Sequence, residues 1–96
     1  MAVNAQRPPV DAAAYKAAIA AEVRAAMARV QVQQKEMETL LGWGRNYMNK
    51  RYTGKTPFSI PDLTAICDEL GIDMGDLIGR AKRAAMNGDE PTANAS

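Results

Sequence analysis

Two glycines bracket a tryptophan at Gly42-Trp43-Gly44, and on either side lies an amphipathic stretch of only about two helical turns. The first stretch opens at Gln33 or Gln34 and carries Met37, Leu40 and Leu41 at one-face spacing. The second, Arg45–Tyr52, has Tyr47 and Met48 on one side and Asn46, Asn49 and Lys50 available for the other. Gly42 permits the positive φ that stops the first helix, and Gly54 ends the second. Two short helices joined by a tight glycine-containing turn let one helix brace the other. They must meet at a fixed angle, held by Met37, Leu41, Trp43 and Met48.

The flanking sequence supplies the rest of an all-helical domain. Asp11 can cap a long first helix whose larger apolar residues, Tyr15, Ile19, Val23, Met27 and Val30, fall close to one face. Ser59 and Asp62 form a capping-box-like start with Pro61 in the first turn, followed by Leu63, Ile66, Cys67 and Leu70 and a stop at Gly71. Asp73, with Asp76 three positions on, opens a fifth helix carrying Met74, Leu77, Ile78 and Ala81. No segment reads as a strand. With 96 residues the chain is sized for one domain. The expected boundaries are an N-terminal tail over 1–9, a domain over 10–86 and a C-terminal tail over 87–96.

Composition excludes several chemistries. There is no histidine, which removes the commonest general base and metal ligand, and the single Cys67 cannot form an internal disulfide. Cys67 shares the stripe with Leu63, Ile66 and Leu70 and reads as a small core residue, as Met27, Met37, Met48 and Met74 read as packing. No nucleotide-binding glycine pattern and no paired acids point to catalysis, so a non-enzymatic protein without cofactor or metal is expected. No apolar run approaches the ~20 residues of a membrane span, and no secretory signal is visible, so a cytoplasmic compartment fits.

Charge placement says more than the formal net charge of +1. Residues 39–60 hold four basic side chains, Arg45, Lys50, Arg51 and Lys55, and no acid, whereas five acids fall between Asp62 and Asp76. The basic cluster coincides with the second short helix, interleaved with Asn46, Tyr47, Asn49 and Tyr52. That combination of cations, amides and aromatic rings points to nucleic acid. For each side chain the plainer alternative is an ordinary solvated surface residue.

The ordered set of Gln34-Lys35-Glu36-Met37, Leu41-Gly42-Trp43, Gly54-Lys55, Leu63 to Leu70 and Gly71-Ile72-Asp73-Met74-Gly75-Asp76-Leu77-Ile78 resembles the lambda-repressor-like helix-turn-helix domains, which include phage repressors, Cro proteins and small bacterial regulators. The resemblance implies a compact five-helix fold in which the second and third helices form the DNA-binding unit and the third enters the major groove of double-stranded DNA. It also implies that Arg45 and Asn46, at the start of the third helix, meet base edges. Arginine can pair with guanine and asparagine with adenine through two hydrogen bonds each. Asn49 lies four residues beyond Arg45 on nearly the same side, and Lys50 can read a base or bind phosphate. Gln34 at a helix start, Lys55, and with them Tyr47, Arg51 and Tyr52, are phosphate candidates, Tyr52 being more often a core or backbone contact than a base reader and Tyr47 open either way. Arg7 is a weaker candidate for the minor groove.

Three positions depart from the family pattern. Glu38 stands where alanine or another small residue is usual, Arg51 where an apolar residue is usual, and Gly44 where a serine or threonine caps the recognition helix. A Glu38–Arg51 pair would account for two departures at once; the alternative is that both reach solvent. Family members commonly bind as dimers. Leu77, Ile78, Ala81, Ala85 and Met86 on the fifth helix are the favoured homodimer surface, the alanine face of the first helix is the second choice, and binding as a monomer stays open. The functional expectation is a sequence-specific transcriptional regulator, a Cro-like or repressor-like protein occupying an operator. Its rival is a protein-interaction module on the same fold, such as an antirepressor or antitoxin-like partner.

Overall fold

The structure, a computed structural model, describes residues 12–87 and contains five helices: α1 (Ala12–Arg29), α2 (Gln34–Leu41), α3 (Arg45–Tyr52), α4 (Ile60–Leu70) and α5 (Met74–Asn87). Among the described residues there is no strand. The expected cap at Asp11, the N-terminal tail with Arg7, and the C-terminal tail lie outside the described residues, apart from Asn87, which closes α5.

The long α1 packs along α5 and also reaches α3 and α4, while α2 rests on α3 and α4. Ile19, Val23 and Met27 of the α1 stripe are buried, and they meet Met37, Met48, Ile66, Leu77 and Ala81 in one cluster. Because α1 serves several neighbours, it buries a wider face than the apolar stripe, including Ala18, Ala20, Glu22 and Ala26. Alanine there lets the helices approach closely. The Glu22 carboxylate, 1% exposed, accepts a hydrogen bond from Arg80 Nε on α5 at 3.3 Å. A buried carboxylate is tolerated only with such a partner.

Two expected core residues face solvent instead. Val30 is 49% exposed because α1 ends at Arg29: Gln31 takes a left-handed conformation at φ 59°, and the Val30, Gln31 and Val32 amides turn back to carbonyls of Met27 and Ala28. The half-buried Val32 takes its place against the core. Leu40 is also 49% exposed, since the two turns of α2 pack through Met37, Glu38 and Leu41. Phe58, in the connection between α3 and α4, was given no role by periodicity yet fills the core at 9% exposure.

The caps match their sequence signals. Ser59 Oγ accepts from the Asp62 amide at 3.1 Å and the Asp62 carboxylate accepts from the Ser59 amide at 2.9 Å, a complete capping box. Asp73 Oδ2 accepts from the Asp76 amide at 2.9 Å. Gly42 ends α2 with φ 71°, and its amide and that of Trp43 return to Thr39 and Glu38. Trp43 then meets Tyr47 edge to face, centroids 5.0 Å apart, fixing the turn against α3.

Gly44, by contrast, sits at φ −74°, ψ 160°, an extended conformation any residue adopts, and a Cβ there would touch nothing within 4 Å. Nothing about the backbone requires glycine at this N-cap. Gly44→Ser is expected to supply the missing cap and restrict the unfolded chain, raising stability by about 0.5–1 kcal/mol. Thermal unfolding should shift up by a few degrees; a lowered Tm would contradict this account of the turn.

Candidate nucleic-acid interface

α3 is anchored by Met48, which is fully buried, and by the half-buried Tyr52. That leaves Arg45, Asn46, Asn49 and Lys50 exposed on its other side, with no acid anywhere on the helix. Arg45 has a side chain 70% exposed. Among the predicted base readers, Arg45 and Asn49 are linked to α2: Arg45 Nε donates to Glu38 Oε1 at 3.4 Å, and Gln34 Nε2 donates both to Glu38 Oε2 and to Asn49 Oδ1, each at 3.3 Å. Asn46 and Lys50 stand free of any such side-chain link among the described residues.

The expected Glu38–Arg51 pair is not formed. Glu38, 8% exposed, pairs with Arg45, while Arg51 Nε donates to Asp62 Oδ2 at 3.1 Å on the opposite flank of α3. Glu38 on α2 meets the Arg45 side of α3, whereas Arg51 leaves α3 on the side facing α4, so one pair cannot explain both departures. Each has its own partner. The solvent alternative does not describe them either, since Glu38 is buried and the Arg51 side chain is only 17% exposed.

Around Asp62 the phosphate candidates Tyr47 and Arg51 are tied to the protein's own groups, Arg51 largely covered and Tyr47 still exposed. The Tyr47 hydroxyl donates to Asp62 Oδ1 at 2.6 Å, Arg51 Nη1 donates to the Tyr47 carbonyl at 3.0 Å, and the guanidinium lies 3.6 Å from the centre of the Tyr47 ring. Burial alone pushes the Asp62 carboxyl up, but hydrogen bonds from Tyr47, from the Ser59 amide and hydroxyl, and from Arg51 outweigh it and hold the group below the usual carboxylate range. The Tyr47 hydroxyl is raised in turn, chiefly by its bond to Asp62, with burial and the carboxylate charge adding and Arg51 opposing. Two of the three Arg51 nitrogens are therefore already used, as is the Tyr47 hydroxyl. These side chains fix α3 to the start of α4.

Two cations on α1 escaped the sequence reading. Lys16, Ala20 and Arg24 recur every four residues, one stripe along α1 that faces the end of α3. Arg24 Nη1 donates to the Tyr52 carbonyl at 2.6 Å and its guanidinium lies 5.8 Å from the Tyr52 ring centre. Lys16 Nζ donates to the Lys55 carbonyl at 3.1 Å, bringing two ammonium side chains to the loop after α3. Gly54, in that loop, takes φ 85° and lets the Gly54 amide return to Arg51. The regular spacing of Lys16 and Arg24 was a usable signal, hidden by the alanines between them.

Of the α5 residues proposed for a dimer surface, Leu77 and Ala81 are fully buried against α1 and the core. This corrects the expectation for those two: α5 needs them for its own packing. Ile78 and Ala85 are half-buried and Met86 is 46% exposed. Cys67 is buried, and burial with the charges of Asp68 and Asp73 pushes its thiol up. Among the described residues, no group of three or more acidic or cysteine side chains is placed to hold a metal ion, and no helix is long and apolar enough to cross a membrane.

The crystal structure of the clp gene regulator ClgR from C. glutamicum is similar in fold, with a TM-score of 0.67 at 21% sequence identity, covering 73% of this chain and 91% of that one. No curated protein sequence matches the chain. The family model for the Cro/C1-type HTH DNA-binding domain matches residues 22–82, from the middle of α1 into α5 and across the whole α2-turn-α3 unit. By that match over more than half its length, the chain belongs to the Cro/C1-type helix-turn-helix DNA-binding domains.

Proposed function

We propose that this protein is a sequence-specific transcriptional regulator that occupies an operator in double-stranded DNA with α3 in the major groove. The observation that carries the proposal is the exposed face of α3, where Arg45, Asn46, Asn49 and Lys50 lie together on a helix whose opposite side is locked to the core through Met48. Those four read bases. Lys55 and Lys16, at the end of α3, and Gln34, at the start of α2, contact the flanking phosphates. Arg24, Tyr47, Arg51 and Tyr52 set the depth and tilt of α3, leaving little of Tyr47 or Arg51 for phosphate.

Repression by blocking polymerase is the simplest outcome for a domain of this size, and a Cro-like or short repressor-like role in a bacterial cytoplasm or a phage-infected host follows from the resemblance. A homodimer joined through the residues of α5 that the core leaves partly uncovered, Ile78, Ala85 and Met86, would set two α3 helices on half-sites about one helical turn, ~34 Å, apart.

Salt dependence tests the proposal against a protein-interaction role. Each phosphate neutralised contributes about −0.9 to the slope of log K against log salt. With Lys16 and Lys55 engaged, a slope of about −2 per protomer is expected. A slope near zero, with binding to duplex no stronger than to a neutral polymer, would support the interaction module instead.

A further inference from the structure

The departure at Glu38 has a consequence for which bases this chain reads, and the inference rests on the DNA-reading role proposed for α3. A carboxylate can only accept hydrogen bonds. Buried at 8% exposure between α2 and α3, Glu38 needs donors, and it takes them from Arg45 Nε at 3.4 Å and from Gln34 Nε2 at 3.3 Å. The second bond fixes the Gln34 amide with its NH2 group toward Glu38. That same NH2 group has a second hydrogen, which it gives to Asn49 Oδ1 at 3.3 Å. One lone pair of the Asn49 carbonyl is thereby engaged by Gln34 at the surface, and its own NH2 group is left as the free end.

We infer that Glu38 is a positioning residue that sets the polarity of the reading face, so that both Arg45 and Asn49 present donors to DNA. With Nε tied to Glu38, Arg45 offers the end-on pair of Nη groups, the fork that meets O6 and N7 of guanine. Asn49 is biased against the two-bond contact with adenine, because Gln34 takes one lone pair of its carbonyl oxygen and holds that oxygen toward α2. It donates instead to an acceptor such as guanine O6 or N7, or thymine O4. The tie also holds Arg45 near its bound geometry, so less side-chain freedom is lost on docking.

The test measures affinities of the full chain for duplexes carrying each of the four base pairs at every position of a site selected by the wild type, together with Tm. Arg45→Ala identifies the base pair read by Arg45. Glu38→Ala is expected to lower the preference for guanine at that pair by about fivefold or more, the low end of what one such contact contributes. In the Arg45→Ala background, Glu38→Ala should change the preference at that pair no further. At the pair read by Asn49, Glu38→Ala should raise the acceptance of adenine. Glu38→Gln, which keeps the shape of the side chain but can present either end of its amide, is expected to move both preferences the same way and guards against a folding defect in the alanine variant. If both variants lower affinity equally for all duplexes, with every preference ratio intact, Glu38 is merely structural and the inference is overturned while the reading role of α3 stands. A wild type with no base preference overturns both.

Discussion

Replacing Arg45 by alanine is expected to cost about five- to a hundredfold in preference at one base pair, while affinity for unrelated DNA falls only slightly. The magnitude follows from a two-bond arginine–guanine contact, worth ~1 to 3 kcal/mol of discrimination. Arg45 suits that role because its side chain is 70% exposed yet tethered at Nε, so its terminal nitrogens point outward from a held base. Folding should survive the change. Removing the guanidinium leaves Glu38 with Gln34 as its one remaining donor, which costs at most about 1–3 kcal/mol of stability. Quantitative binding to the selected duplex and to its single-base variants measures the effect. A uniform loss across all variants would mean that Arg45 meets phosphate.

The largest effect on stability is expected from Asp62→Ala, about 3 kcal/mol measured by denaturant unfolding. Loss of the return half of the capping box, the bond from the Ser59 amide, accounts for about 1 kcal/mol. The remainder comes from leaving Arg51, whose side chain is 17% exposed, without its carboxylate. The change also alters the pH dependence. Because the folded state holds the Asp62 carboxyl below its usual range, Asp62 contributes stability that is fully present above the unfolded value of about pH 4 and is lost as the pH falls through the lower folded value. The wild type should therefore lose stability more steeply with acid than Asp62→Ala does. Since Asp62 fixes Tyr47 and Arg51, the variant should also bind DNA more weakly at all sequences alike, the signature of a misplaced α3.

The elements themselves were legible from residues 12 to 87. Gly42, Gly54 and Gly71 stop helices with backbone conformations that glycine favours, and Ser59 with Asp62 announces its cap in the sequence, so element order and most boundaries follow from local chemistry. Side-chain partnerships were less so. Glu38 and Arg51 each stood out as a charge in an unusual place, but which partner each takes depends on which side of α3 faces α2 and which faces α4, and that is fixed by the crossing of the three helices. Asp62 was read only as a cap, although one carboxylate there serves Ser59, Tyr47 and Arg51 together. Val30 and Leu40 show the limit of periodicity near helix ends and in two-turn helices, where a single residue decides whether a side chain meets the core. Glu22 had a signal that went unused: it lies three residues from Ile19 and four from Ala26, inside the buried face, so an acid there already implied a basic partner such as Arg80.

The central claim is that this chain reads a DNA sequence with the exposed face of α3. Selection of bound duplexes from a random pool, run in parallel on the wild type, Arg45→Ala and Asn49→Ala, tests it most directly. The account predicts one enriched motif for the wild type, guanine at the pair that loses its preference in Arg45→Ala, and a different pair relaxed in Asn49→Ala. A wild type that enriches no motif, or variants that enrich the same motif unchanged, would contradict it.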